Sequence, residues 1–186
     1  GEINILLTTP AVAATAGLCA EKVLLYHLPY CSDSIGHTYN CVSPGGRLYL
    51  MYGSGDFQDN LDGLEFLAPG REYLVNLYRM LRREGKQRAV FNINNLAKAL
   101  SDAGFYHAGA CTLEIALKIF VELELLTCHN EGKILNIHFM PPPAQKKDLF
   151  QAHTYQVLTQ IKKDCIQLMR NILSAPVYNL FSQGVS

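Results

Sequence analysis

The sequence predicts an α/β chain: a small parallel three-stranded sheet, then a helical unit that ends in a hairpin, then a long C-terminal helix. Three observations predict it. Residues 3–8 (INILLT), 23–28 (VLLYHL) and 47–52 (RLYLMY) are short, nearly continuous apolar runs, the pattern of parallel strands covered on both faces. Beyond residue 67 the apolar spacing changes to i, i+3, i+4, i+7, the period of a helix with one buried stripe. In TCHNEGKILNIHF two strand-like runs flank Asn130, Glu131 and Gly132, which signals a hairpin. The expected division is therefore residues 1–67 for the α/β module and 68–186 for the helical module.

Each element follows in order. Thr9 fits an N-cap, Pro10 a first helical position and Gly17 a helix end, so one short helix links the first two strands within 9–22, a span long enough for a parallel crossover. Ser32 caps a second short helix, and Pro44, Gly45 and Gly46 form a turn. Asp56, Asp59 and Asp62 suit a polar helix start. In REYLVNLYRMLRREG the stripe is Leu74, Leu77, Tyr78 and Leu81, ending at Gly85. INNLAKALSDAGF turns Leu96, Ala97 and Leu100 inward, and TLEIALKIFVELELL starts at a Thr112 cap. Three helices followed by a hairpin is the order of a winged helix-turn-helix. PPP at 141–143 is a stiff lead-in to an amphipathic helix over Lys147 to Leu173, with Phe150, Tyr155, Leu158, Ile161, Cys165, Leu168 and Ile172 on one face.

Composition narrows the function. The 186 residues are 49% hydrophobic and 17% charged, too apolar for disorder, while no apolar run reaches the roughly 18 residues of a membrane span. A soluble chain with no membrane partner is expected. Lys plus Arg and Asp plus Glu are 16 each, so any electrostatic attraction must be local. The six cysteines are widely spaced without a CxxC pair; they read as reduced, core-type residues of a cytoplasmic protein. The direct start on Gly1, Glu2 and a strand leads us to expect a piece of a longer protein.

Positive charge gathers at Arg71, Arg79, Arg82, Arg83, Lys86 and Arg88, opposed only by Glu72 and Glu84. At about 100° per residue Arg79, Arg82, Arg83 and Lys86 share one side, away from the leucine stripe. That side is either a solvated helix face or a weak phosphate contact. The third helix offers Glu114, Lys118, Glu122 and Glu124, whose acidic balance makes it a poor reader of DNA. Cys128 and His129 have no partners at zinc spacing, the three aspartates match no calcium loop, and no GxSxG or HExxH occurs. The expectation is no metal, no cofactor and no catalysis in this stretch.

Two resemblances bear on function. Leu6 to His37, a strand ending in Thr and Ala residues followed by an apolar strand closing in LP, resembles the second RecA-like lobe of a superfamily-two helicase. That resemblance implies phosphate contacts at Thr8 and Thr9, against the simpler reading of a strand end and a helix cap. His27 stands where an acidic residue is usual, Ser32 to Asn40 contains no arginine, and no P-loop occurs, so the lobe is degenerate and ATP hydrolysis is not expected. Over nearly the whole chain APGREYLVNLYRML, IFVELELL, EGKILNI and KKDLFQAHTYQ, in that order, resemble the C-terminal domain of RecJ-type single-strand-specific DNA exonucleases of the long Gram-positive form. The resemblance implies a parent that degrades single-stranded DNA from the five-prime end in recombination and repair, with Mn or Mg in an Asp-His-His core outside this stretch. It also implies binding roles for this domain: extending the DNA path, or docking a single-strand-binding protein or a helicase. A winged-helix DNA-binding or protein-interaction module of a bacterial regulator, and a degenerate helicase lobe, are the alternatives.

Overall fold

β1 (Ala20–Leu25) and β2 (Val42–Leu50) run parallel and are joined through α1 (Ser32–Tyr39). This arrangement comes from a computed structural model that describes residues 5–9, 12, 15–84, 87–105 and 109–174. The chain forms two units, Gly1–Asn60 with Lys163–Ser186, and Leu61–Lys162.

In the first unit the parallel sheet has two strands, which corrects the expected three. Residues 5–9 carry neither strand nor helix, Ile5 is 83% and Leu7 93% exposed, and residues 3 and 4 lie outside the described residues. A continuous apolar run reports hydrophobicity without a period, so it cannot by itself say that a strand finds a partner. The two observed strands also begin earlier than expected. Pro44, Gly45 and Gly46 are not a turn before the last strand but a bulge within β2: the register passes from Ala20↔Val42 to Lys22↔Arg47. Gly45 has φ +81°. A Cβ on Gly46 would lie 2.7 Å from the Glu21 carbonyl oxygen, so glycine is what allows the strands to close there. Of the expected helix in 9–22, Val12 and Thr15 are helical, while Pro10, Ala11, Ala13 and Ala14 lie outside the described residues.

Leu25, Leu28 and Cys41 are buried in this unit, as are Cys165, Met169 and Ile172 of α6 (His153–Ser174). The buried Asn60 amide donates to the Leu28 carbonyl at 2.8 Å and to Met169 Sδ at 3.4 Å. Its polar cost is thereby met inside the core.

The second unit contains α3 (Arg71–Glu84), β3 (Arg88–Asn92), α4 (Ile93–Asp102), α5 (Ala110–Glu122), β4 (Leu126–Glu131) and β5 (Ile134–Phe139) in chain order. α2 (Asp56–Leu67) and α6 contribute to both units. β3 and β4 each pair antiparallel with the central β5. Gly132, at φ +66°, makes the β4–β5 turn. Leu74, Leu77 and Leu81 of α3, Leu96 and Leu100 of α4, and Leu113, Leu117 and Phe120 of α5 close over Leu135, Ile137 and Phe139. Each fully buried leucine contributes about 1.5–3 kcal/mol relative to exposure. Three on one stripe outweigh any propensity term of that helix.

Local polar contacts fix the joints. Asn92 ends β3 and caps α4, its side chain accepting from Asn94 N at 3.0 Å and Asn95 N at 3.4 Å. Thr112, expected as a cap, lies inside α5, which starts at Ala110 after Gly109; its hydroxyl is buried and donates to the Phe66 carbonyl at 2.8 Å. α6 begins at His153, not at Lys147, because a 3₁₀ turn over Leu149–Gln151 precedes it, capped by Asp148. Glu122 at the end of α5 accepts from both the amide (2.8 Å) and the hydroxyl of Thr154, so a carboxylate sits at the positive end of α6. Lys162 pairs with Glu65. The six cysteines are unpaired, and Cys19, Cys31 and Cys111 are exposed, which departs from the core role expected of most of them. No helix among the described residues is long and apolar enough to cross a membrane.

Candidate nucleic-acid interface

The basic residues of α3 separate by what the fold does with each. Arg82 is half-buried: its Nη2 donates to the Met140 carbonyl at 3.0 Å, and its guanidinium lies 5.3 Å from the centroid of the Phe139 ring. It is committed to holding the end of β5. Arg83 is exposed in the last turn of α3, where a cation is favoured by the helix dipole whatever else it does. Arg88 is exposed at the start of β3, and Lys86 lies outside the described residues. Thr8 and Thr9 are exposed and belong to the first unit. Thr9 Oγ1 accepts from Val12 N at 3.4 Å, the geometry of a helix cap.

Arg71 and Arg79 have no such explanation. Both are exposed, and among the described residues neither makes an ion pair. Arg71 occupies the first position of α3, the positive end of the dipole, where a cation is disfavoured by about 0.3–1 kcal/mol. Arg79 faces Arg82 and Arg83 at i+3 and i+4, spacings at which like charges repel.

These two arginines line a cavity of about 700 Å³ in the second unit. Lys146 and Lys147 also line it, from a segment distant in the chain, and among the described residues Asp148 is its one carboxylate. Lys147 also meets the exposed Glu124 at 3.4 Å, a pair that solvent leaves weak. The apolar lining comes from Leu74, Val75, Leu123, Leu125 and Leu149. Aromatic rings complete it: Tyr78 sits edge-on to Phe120 at 5.4 Å, and Phe150 edge-on to Tyr155 at 5.2 Å. Phe150 is 50% exposed. Cations beside aromatic rings, one of them half exposed, suit a ligand that carries both negative charge and a flat apolar surface.

A second cavity, of about 720 Å³, lies in the first unit at the carboxyl ends of the parallel strands. Tyr26 and His27 follow β1, Met51 and Tyr52 follow β2, and Asp56 and Asp59 stand on α2. The Asp56 and Asp59 carboxylates give this cavity a negative local field. That field repels phosphate. Among the described residues no group of three or more His, Cys, Asp or Glu is placed to hold a metal ion.

α5 is mostly interior: Thr112, Leu113, Ala116, Leu117, Ile119 and Phe120 are buried. Of its charged residues Glu114 and Lys118 are exposed, while Glu122 is engaged by Thr154. Sequence reading placed Arg79 correctly on the helix but missed Lys146, Lys147, Tyr78, Phe150 and Tyr155 as its companions. The signal was present in KKDLF, two cations three and four residues before an aromatic residue, and it was absorbed into the expected long helix. Comparison with family models, with curated proteins and with solved structures gives no match for this chain.

Proposed function

We propose that this chain is a non-catalytic C-terminal accessory domain of a five-prime to three-prime single-stranded-DNA exonuclease, helping the enzyme hold its strand during recombination and repair. The observation that carries the binding half of this reading is the set of exposed cations Arg71, Arg79, Arg83 and Arg88, on one helix and the strand after it, none of which makes an ion pair among the described residues. Backbone phosphates are a ligand that such charge suits. The ordered likeness of APGREYLVNLYRML, IFVELELL, EGKILNI and KKDLFQAHTYQ to RecJ-type C-terminal domains supports the parent enzyme, whose Mn or Mg core would lie in another part of the gene. Docking of a single-strand-binding protein or a helicase on the same domain belongs to this reading, as does a cytoplasmic location.

The order α3, β3, α4, α5, β4, β5 supports a winged helix-turn-helix frame for the second unit. In this proposal the frame does not use its third helix as a DNA reader, because α5 is largely buried and carries Glu114 and Glu122. A free-standing winged-helix regulator is accordingly the weaker reading.

The test is binding of a labelled single strand by the whole chain across a salt series. Affinity should fall with salt at a log–log slope of about 0.7 per neutralised phosphate. The triple variant Arg79→Glu, Arg83→Glu, Arg88→Glu should lose binding while keeping its fold. No binding by wild type at low salt would sink the DNA half, and an open reading frame without an Asp-His-His segment upstream would sink the exonuclease half.

A further inference from the structure

We infer that the cavity lined by Arg71, Arg79 and Lys146 takes one unstacked nucleotide of a single strand, its base against Phe150 and its neighbouring phosphates on the three cations. The inference rests on the proposed single-strand binding and assigns its position and its chemistry. Three observations carry it. First, charge is matched to the ligand: four cations line the cavity, one of them, Lys147, paired with Glu124, against Asp148 as the one lining carboxylate among the described residues, and that carboxylate already accepts from the Phe150 amide at 3.1 Å. Second, Arg71 is kept at the helix end where the dipole opposes it, and Arg79 beside two like charges, with no ion pair to either among the described residues. An anion in the cavity offsets both penalties at once. Third, Phe150 is half exposed although apolar, and its ring makes a T-shaped contact with Tyr155. A half-exposed ring packed in this way has apolar surface left for stacking, and its packing lowers the ordering cost at binding.

The volume agrees with one base and its sugar-phosphate better than with a duplex, since about 700 Å³ lies in the range of small-molecule pockets. Phosphate contacts give affinity without regard to base, whereas the stacked ring makes affinity depend on a base being present. An acidic peptide with an aromatic side chain shares part of this chemistry. The strand is favoured because the cations come from two separate segments, α3 and the residues before the 3₁₀ turn, so that successive phosphates of one backbone can each meet a cation.

The experiment measures fluorescence anisotropy of the whole chain with labelled oligothymidylate and with an abasic strand of equal length. Wild type should bind oligothymidylate the more tightly. Phe150→Ala should weaken that binding by about 5- to 100-fold, remove the preference over the abasic strand, and leave the salt slope unchanged. Phe150→Trp should restore it, which separates loss of stacking from loss of fold. Arg79→Glu should lower affinity for both strands and flatten the salt slope. Phe150→Ala binding oligothymidylate as wild type does, with a normal salt response, overturns the cavity while leaving the basic surface intact. Wild type that ignores both strands yet binds an acidic, aromatic-ended peptide through Phe150 overturns the nucleotide as occupant.

Discussion

Tyr73 of α3 carries a test of the energetics of the second unit. Its ring meets Phe105 edge-on at 6.0 Å, and its hydroxyl oxygen is buried with no hydrogen-bond partner among the described residues. Tyr73→Phe removes that oxygen and keeps the ring contact. A buried unsatisfied polar group costs about 1–3 kcal/mol, and the small gap left by the oxygen returns part of this. A net gain of about 1 kcal/mol follows, which for a chain of this length raises Tm by about 2–4 °C. The pH dependence gives a second readout. Burial pushes the hydroxyl from its ordinary 10.0 up to about 12, so the unfolded chain releases this proton first. Stability from this group is complete below the ordinary value and is lost as pH rises towards the raised one. Tyr73→Phe lacks that loss. Because the chain has 10 tyrosines, the quantity to follow is the difference between variant and wild type in urea unfolding, which should widen with alkalinity. A variant less stable than wild type at neutral pH, or a difference flat across the alkaline range, would refute the reasoning.

Two further outcomes concern the joints of the same unit. Burial alone would raise the Glu122 carboxyl, but the two bonds from Thr154, with Lys118 and His153 nearby, hold it below its ordinary value. Its contribution is therefore present above the ordinary glutamate range and is lost as pH falls through the lowered value. Glu122→Gln should cost roughly 1 kcal/mol at neutral pH after allowing for solvent, with urea midpoints of the two proteins converging in acid. Asn92→Ala removes the cap of α4 and should cost about 1 kcal/mol by urea unfolding, whereas Asn92→Gly should lose only a few tenths.

Period decided what the sequence made legible. Leu74, Leu77 and Leu81 recur at helical spacing and are all buried; α3, α4 and α5 were readable from such repeats, and the β4–β5 hairpin from the strand-like runs flanking Asn130, Glu131 and Gly132. β3 was not, because RAVFN is short and lies between two helical signals, and its pairing with β5 is a tertiary matter. The first unit failed for the opposite reason. INILL, VLLYHL and RLYLMY were read as strands covered on both faces, yet Leu24 is 54%, Tyr26 76% and Tyr49 42% exposed. Hydrophobicity without alternation says that residues want cover, and says nothing about which segment provides it. At the site, Arg79 was legible as a cation off the apolar stripe. Lys146 and Phe150 were not, because they reach the cavity through a 3₁₀ turn that a seven-residue apolar pattern conceals.

The basic run of α3 shows why charge counting alone misassigns such a helix. Arg79 and Arg82 are three residues apart and indistinguishable by composition, yet Arg82 bonds the Met140 carbonyl and covers Phe139, while Arg79 opens on a cavity. An arginine whose donors and face are already used by the fold has little left for a phosphate, and replacing it damages packing as well as charge. Charge reversal at Arg82 would therefore confound loss of binding with loss of structure. Arg71 and Arg79 give the cleaner reading, because the fold places them at electrostatic cost and uses them for nothing else among the described residues. The first-unit cavity holds aromatic residues too, but Asp56 and Asp59 line it. Of these two cavities, the one in the second unit has the sign of charge that a nucleic-acid backbone demands.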